Sequence, residues 1–532
     1  MLTTSKHRTG SLVAFGAAVG ILACAVQAGT ASAAEGLVRF DRQVIDWHGC
    51  QNGSDDRVGA LVDAAGGRCG DVAVPLDYGR PGGRTIRLAV SRIPAADPVR
   101  RRGALFTNGG GPGGSGIGQP VAFADNTGIR ARYDVIGIDP RFTWRSTPLR
   151  CDWRSDTFIR GAGPDRRSFE RSVELARVQA AGCDRGDQRN LFPHATTRNT
   201  ARDMDLVRAV LGEPRISYES GSYGAYLGAV YLQMFPDRVD RFVLDSSPDP
   251  TVLGPNPFVH NGPTATAALE HFAAWAADHD ATYGLGATAD DVLTTVDRIA
   301  RVSGRYPLRV GGFRVDAHTV PYIMLIQVAE DGDEFHAPAA DVVRTLRDAA
   351  DGAAVTPSPA FAELLTGLFT GSGPAADRVG LPILCGDREV SREPGTYLRD
   401  IRAHRADDPL FGPLAHNITP CAFWPTRPAE PTTTIHSDVP VLVVGNAGDP
   451  DHAALRPVGD APGVGRVPHG HPTGRVPTPG VPEPQRVRGR RGAPVPARRC
   501  ATGDRHHLPR VVPAAPFGPG RCTTPSPTRS RW

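Results

Sequence analysis

Apolar positions along this chain fall into short runs separated by amphipathic stretches. Residues 85–93 (TIRLAVSRI) alternate like a strand, and Cys69 to Tyr78 reads as the strand before it. Ala104-Leu105-Phe106, Tyr133 to Ile138, Ile216 to Tyr218, Phe242-Val243-Leu244 and Val439 to Val444 read as buried strands. Between them, residues 199–211 place Ala201, Met204, Leu206, Val207 and Val210 on one helical face. Tyr223, Leu227, Val230, Tyr231 and Met234 recur at helical spacing until Pro236 stops them. Strands alternating with helices predict an α/β fold, a mostly parallel sheet covered on both faces. Residues 251–430 break that rhythm. Helical stretches such as 263–276 and 340–350, joined by Pro/Gly-rich segments, predict a mostly helical insertion over the core.

The stretch 216–250 organises the rest. A strand runs into Ser220-Gly221-Ser222-Tyr223-Gly224, then a helix, then a second strand ending at Asp245. This is the setting of a nucleophile elbow, a sharp turn that lifts a serine hydroxyl clear of the sheet. Gly221 and Gly224 are expected where a Cβ would strike a neighbouring element. Ser220 stands where the G-x-S-x-G pattern has glycine. The amide of Tyr223, at the helix N-terminus, is placed to hold an oxyanion formed at Ser222.

A second glycine-rich segment, Asn108-Gly109-Gly110-Gly111-Pro112-Gly113-Gly114-Ser115-Gly116, follows the strand at 104–106. Its amides suit an anion. No lysine follows in P-loop spacing, so an oxyanion loop using Gly110, Gly111 and Gly113 fits better than a phosphate loop.

Composition changes the picture at both ends. Lys6-His7-Arg8, an apolar stretch from Leu12 to Val26, and Ala31-Ser32-Ala33 predict a signal peptide over 1–33 and export, with no stable membrane anchor. The whole chain carries a net charge of +4, but residues 451–532 hold 14 arginines, no lysine and four acidic residues. Residues 1–450 are therefore mildly acidic, which speaks against a nucleic-acid-binding protein. Eight cysteines follow the signal, none in Cys-x-x-Cys or Cys/His zinc spacing, so no metal or cofactor is expected. In an oxidising compartment the pairs Cys50–Cys69, Cys151–Cys183 and Cys385–Cys421 are predicted.

Four separately placed motifs carry a resemblance. They are the 108–116 loop, Asp139-Pro140-Arg141 with Arg145 to Leu149, Gly221 to Gly224, and Phe235 to Val239 with Val243-Leu244-Asp245. Over residues 65–450 the chain resembles the secreted tripeptidyl aminopeptidases of the α/β-hydrolase fold, relatives of proline iminopeptidase. It departs from them at Gly109, usually proline there, and at Phe142 and Trp144, usually glycines. Both aromatics are expected near the active-site mouth, where they would crowd it. The resemblance implies peptide substrates with a free N-terminus, released as short peptides, with an esterase or lipase-like hydrolase as the alternative. It divides the chain into core (34–250), helical cap (251–430) and core return (431–450). An exopeptidase must hold the substrate ammonium, for which Asp331, Asp333, Glu334, Asp387 and Glu389 are candidates.

The fold's triad runs Ser, Asp, His in chain order. Asp449 in Gly448-Asp449-Pro450, just past the 439–444 strand, is the expected acid. For the base, His471 follows a glycine as the family's Gly-His loop does, and His469 is the second choice. Both come too soon after Asp449 to leave room for a helix and a strand. Residues 451–532 contain 16 prolines and no sustained apolar periodicity, which predicts an unstructured tail, either a natural disordered basic segment or an out-of-frame one. Ala, Gly, Pro and Arg have G- and C-rich codons, so this composition predicts a shift of reading frame near codons 450–456. On that reading the tail replaces the last strand and helix, and the chain as written is a catalytically impaired hydrolase.

Overall fold

The computed structural model describes residues 36–151, 159–184, 186–256, 258–259, 261–370 and 376–445. The signal segment, Asp449, His469, His471 and the Arg/Pro-rich tail lie outside them. A seven-stranded sheet of order β1-β2-β4-β3-β5-β6-β9 forms the core. Its strands are β1 (Arg68–Pro75), β2 (Thr85–Ile93), β3 (Gly103–Thr107), β4 (Tyr133–Ile138), β5 (Ile216–Gly221), β6 (Val239–Asp245) and β9 (Leu442–Val444). The β1–β2 and β2–β4 pairs are antiparallel, and every pairing from β4 to β9 is parallel. All five residues of β3 are buried, so helices and loops must cover both of its faces.

The longer helices before the insertion are α1 (Arg57–Ala64), α2 (Arg166–Cys183), α3 (Thr197–Val210) and α4 (Tyr223–Met234). Thr196 caps α3, its side chain accepting from Asn199 N–H. Leu88 and Val90 of β2 join the main core with residues of α3 and α4, whereas Ala89 packs on the opposite face against Val62 and Ile117. A period of two therefore sorts β2 between two cores.

Asp139 and Arg141 explain the Asp-Pro-Arg motif. Asp139, fully buried, accepts from Ser115 Oγ (2.7 Å), Gly116 N (2.9 Å) and Arg145 N (2.9 Å), pinning the end of the glycine loop. Burial raises its pKa, and those hydrogen bonds pull the other way. Arg141, equally buried, grips Asp203 of α3 through Nε (2.7 Å) and Nη2 (2.6 Å). Tyr78 Oη donates to the same carboxylate at 2.7 Å. Removing either charge would strand the other in the core, a loss of about 3–5 kcal/mol.

Between β6 and β9 the regular structure is almost wholly helical. It contains α5 (Gly262–Asp278), α6 (Ala289–Arg305), the hairpin β7 (Leu308–Val310) and β8 (Phe313–Val315), α7 (Val320–Gln327), α8 (Asp333–Ala350), α9 (Pro359–Thr370), α10 (Ala376–Asp387) and α11 (Pro394–His404). Phe272, Val296, Ile323, Val343 and Leu365 gather here into an apolar core separate from that of the sheet. α10 belongs to the other side: Leu381, Ile383 and Cys385 join the sheet's core. Disulfides join Cys50–Cys69, Cys151–Cys183 and Cys385–Cys421, the pairing expected.

One strand differs from expectation. The run 439–444 is written as a buried strand, yet only Leu442–Val444 pair, and Leu442 and Val444 are 40% and 41% exposed. β9 is the last strand among the described residues, so no described strand pairs with its outer edge.

Candidate active site

Ser222 sits between β5 and α4 with φ 56° and ψ −131°, a conformation that non-glycine residues reach only under constraint. The constraint is visible. Its N–H donates to Asp245 O at 3.0 Å, and its carbonyl accepts from Ala225 N–H at 2.9 Å. Tyr218 Oη donates to Gly224 O at 2.7 Å, holding the first turn of α4 against the strand. A Cβ on Gly224 would lie 1.9 Å from Ser220 Oγ, so glycine is required there. At Gly221 the nearest atom to such a Cβ is Asp245 O at 3.8 Å. That corrects the expectation of a clash at Gly221, where a Cβ would make only ordinary van der Waals contact.

Ser220 does more than replace a glycine. It is 2% exposed, and its hydroxyl donates to Asn108 O at 3.0 Å, joining the elbow to the glycine loop. The loop turns on positive φ at Gly110 (68°), Gly111 (105°) and Gly113 (94°). A Cβ on Gly110 would come within 3.9 Å of Ser222 Cβ, so the loop backbone lies against the serine. The Gly110 amide is already committed to Asn108 Oδ1 at 2.9 Å, which corrects its expected role as an oxyanion donor. The amides of Gly111 and Tyr223 donate to no acceptor among the described residues. Gly109 is also fitted to this loop, since a Cβ there would meet Ser115 O at 2.3 Å.

Phe142 and Trp144 have φ of 72° and 41°, the left-handed region that favours glycine. Their side chains part company. Phe142 is 1% exposed within the main core and crowds no opening, a correction to the expectation. Trp144 is 44% exposed and its indole N–H donates to Gly113 O at 2.9 Å, laying the ring on the glycine loop.

The end of β9 lies beside the elbow. Val444 pairs with Asp245, and Ser246 N–H donates to Val444 O at 2.8 Å, while Asp245 O holds the Ser222 amide. β9 thus ends at the same rim of the sheet as Ser222.

Two further carboxyls near the elbow titrate unusually. Glu219, three residues before Ser222, is pushed up to about 7 by burial and by Asp245. Its sequence signal is a lone acid within an otherwise apolar and small-residue strand. Asp387 at the end of α10 is also raised to about 7, by burial above all. It accepts from the Thr197 amide at 2.8 Å and from the Thr197 hydroxyl, which in turn pairs with Tyr223 Oη at 2.6 Å. Asp387 is therefore tied behind the elbow and does not present a free carboxylate for an ammonium group. Asp333 accepts from Trp275 Nε1 at 2.7 Å, and Glu389 pairs with Arg427 at 2.9 Å.

A mostly parallel sheet with a strained serine turn facing a glycine loop is the architecture of an α/β-hydrolase, and residues 104–281 match the family model for the alpha/beta hydrolase fold. The chain is 32% identical to a tripeptidyl aminopeptidase of Streptomyces lividans over 436 residues, 78% of each chain. It therefore belongs to the tripeptidyl aminopeptidase-like family of α/β-hydrolases. It is also 32% identical over 222 residues to the serine protease Hip1 of Mycobacterium tuberculosis, covering 39% of this chain and 40% of that one. Carboxylesterase B of M. tuberculosis is 36% identical over 193 residues, 35% of this chain and 37% of that one.

Proposed function

We propose that the chain is a secreted serine peptidase that removes short peptides, tripeptides in the first instance, from free N-termini. The observation that carries this reading is the strained turn at Ser222, packed against a glycine loop whose Gly111 amide donates to no acceptor among the described residues, in a chain of this family. Ser222 Oγ attacks the scissile carbonyl as His471 takes its proton, with His469 as the second choice of base. Asp449 orients that imidazole and stabilises its charged form. The amides of Tyr223 and Gly111, with Gly113 beside them, receive the oxyanion as the carbonyl becomes tetrahedral. The imidazolium returns the proton to the leaving nitrogen as collapse expels the new amine, and the acyl-enzyme left behind is hydrolysed by water that the same imidazole deprotonates. The helices of 251–430 act as a cap that limits access to chain ends. The three disulfides support export to an oxidising compartment.

The test compares tripeptide amides carrying a free amine with their N-acetylated forms, and labels Ser222 with a fluorophosphonate. Cleavage confined to the free amine supports the reading. Equal cleavage of both forms defeats the exopeptidase assignment. The similarity to a carboxylesterase favours a second reading, an esterase using the same serine, because this machinery serves any acyl transfer. Turnover of simple esters without cleavage of the amides would select it.

A further inference from the structure

Two histidines and an aspartate from separate stretches meet on the surface of the inserted helical region. His271 lies on α5, Asp331 in the loop before α8, and His336 on the first turn of α8. His271 Nδ1 stands 3.5 Å, and His336 Nε2 3.8 Å, from the same oxygen, Asp331 Oδ1. All three atoms lie within 4.8 Å of one another. These separations are too long for good hydrogen bonds. A zinc-type cation with bonds of about 2.0–2.1 Å at tetrahedral angles holds its ligand atoms about 3.4 Å apart. The two separations to Asp331 Oδ1 are within about 0.5 Å of that spacing.

Packing sets the inner ligand. His336 is 2% exposed, with its ring edge-on to Phe272 (centroids 5.6 Å apart) and beside Trp275 (5.3 Å). Trp275 is itself fixed by its bond to Asp333. The other nitrogen of His336, Nδ1, is buried with no hydrogen-bond partner, so packing alone orients the ring. His271 and Asp331, at 63% and 73% side-chain exposure, can close from the solvent side with little rearrangement.

We propose that His271, Asp331 and His336 bind a divalent first-row cation of the zinc type, with water in the fourth position, and so clamp α5 to α8. Two imidazoles and one carboxylate favour zinc over magnesium or calcium, which take all-oxygen sites. The ligands lie 60 and five residues apart in sequence, a pattern with no recognisable zinc spacing.

The full chain, produced without a polyhistidine tag and stripped with a chelator, is titrated with zinc ion while binding and thermal unfolding are followed. Saturable binding with a rise in the unfolding midpoint is expected, and magnesium should give neither. His271→Ala and Asp331→Asn, both at exposed positions, should each weaken the apparent Kd by about tenfold or more. Because His336→Ala removes a buried ring, the test does not depend on it. Zinc affinity unchanged in both exposed variants places any binding elsewhere in the chain and overturns the proposal, as does an absence of binding.

Discussion

Ser220 Oγ donates to Asn108 O across 112 residues of sequence, and the same oxygen atom fills the space beside Gly224. The position that breaks the G-x-S-x-G pattern is thus a strut between elbow and loop. Gly224→Ala should destabilise by about 3 kcal/mol, since the new methyl meets Ser220 Oγ and Cβ. Adding Ser220→Gly removes both atoms, leaving Asn108 Oδ1 at an acceptable 3.4 Å, and should restore much of that loss. Urea unfolding of the four-member cycle checks it. Additive effects would show that the clash is not the cause.

In a chain that holds its base, Ser222→Ala should lower turnover by about 10⁵-fold or more while the unfolding midpoint stays near that of the parent. Ser220→Ala should cost far less activity, because its role is one hydrogen bond worth about 1 kcal/mol. Comparable losses from the two substitutions would remove Ser222 as the nucleophile.

Glu219 should make stability depend on pH. Its folded pKa is about 7 against a reference of 4.5, so the native state binds more protons between those values. Stability therefore falls as pH rises through that window, and the penalty is complete above it. Glu219→Gln should stabilise by about 2 kcal/mol at about pH 8 and by almost nothing at about pH 4. Equal gains at both values would rule out titration of this carboxyl as the source.

Phe142 and Trp144 share a glycine-like backbone but should respond oppositely to glycine. Phe142→Gly empties a core site and should destabilise by about 3 kcal/mol even after backbone strain is relieved. Trp144→Gly should leave stability within about 1 kcal/mol and lower KM for bulky substrates by uncovering the loop. Calorimetry and substrate series measure both. Similar destabilisation by the two would mean that Trp144 is structural.

The reading frame is open to a direct check. Leu442 and Val444 are half-exposed on the last described strand, where a hydrolase sheet would continue. Resequencing the gene and translating the other frames beyond codon 450 should reveal an apolar strand followed by a Gly-His pair. If neither frame contains one, the written tail stands and His471 is the base to mutate.

Sequence alone determined what depends on neighbours along the chain. The apolar runs of β2 to β6 were legible because a strand's burial is written into consecutive residues. The serine turn was legible because strand, small residues and helix follow one another directly. Near-neighbour spacing likewise sufficed to anticipate the three disulfides. Tertiary structure decided whatever joins distant segments. It turned Phe142 inward and Trp144 outward from the same backbone, committed the Gly110 amide to Asn108, tied Asp387 to Thr197, and brought His271 to Asp331. Periodicity reports which residues are buried, but the direction of a side chain and its partner depend on which surfaces pack together. That is a property of the assembled core, not of local spacing.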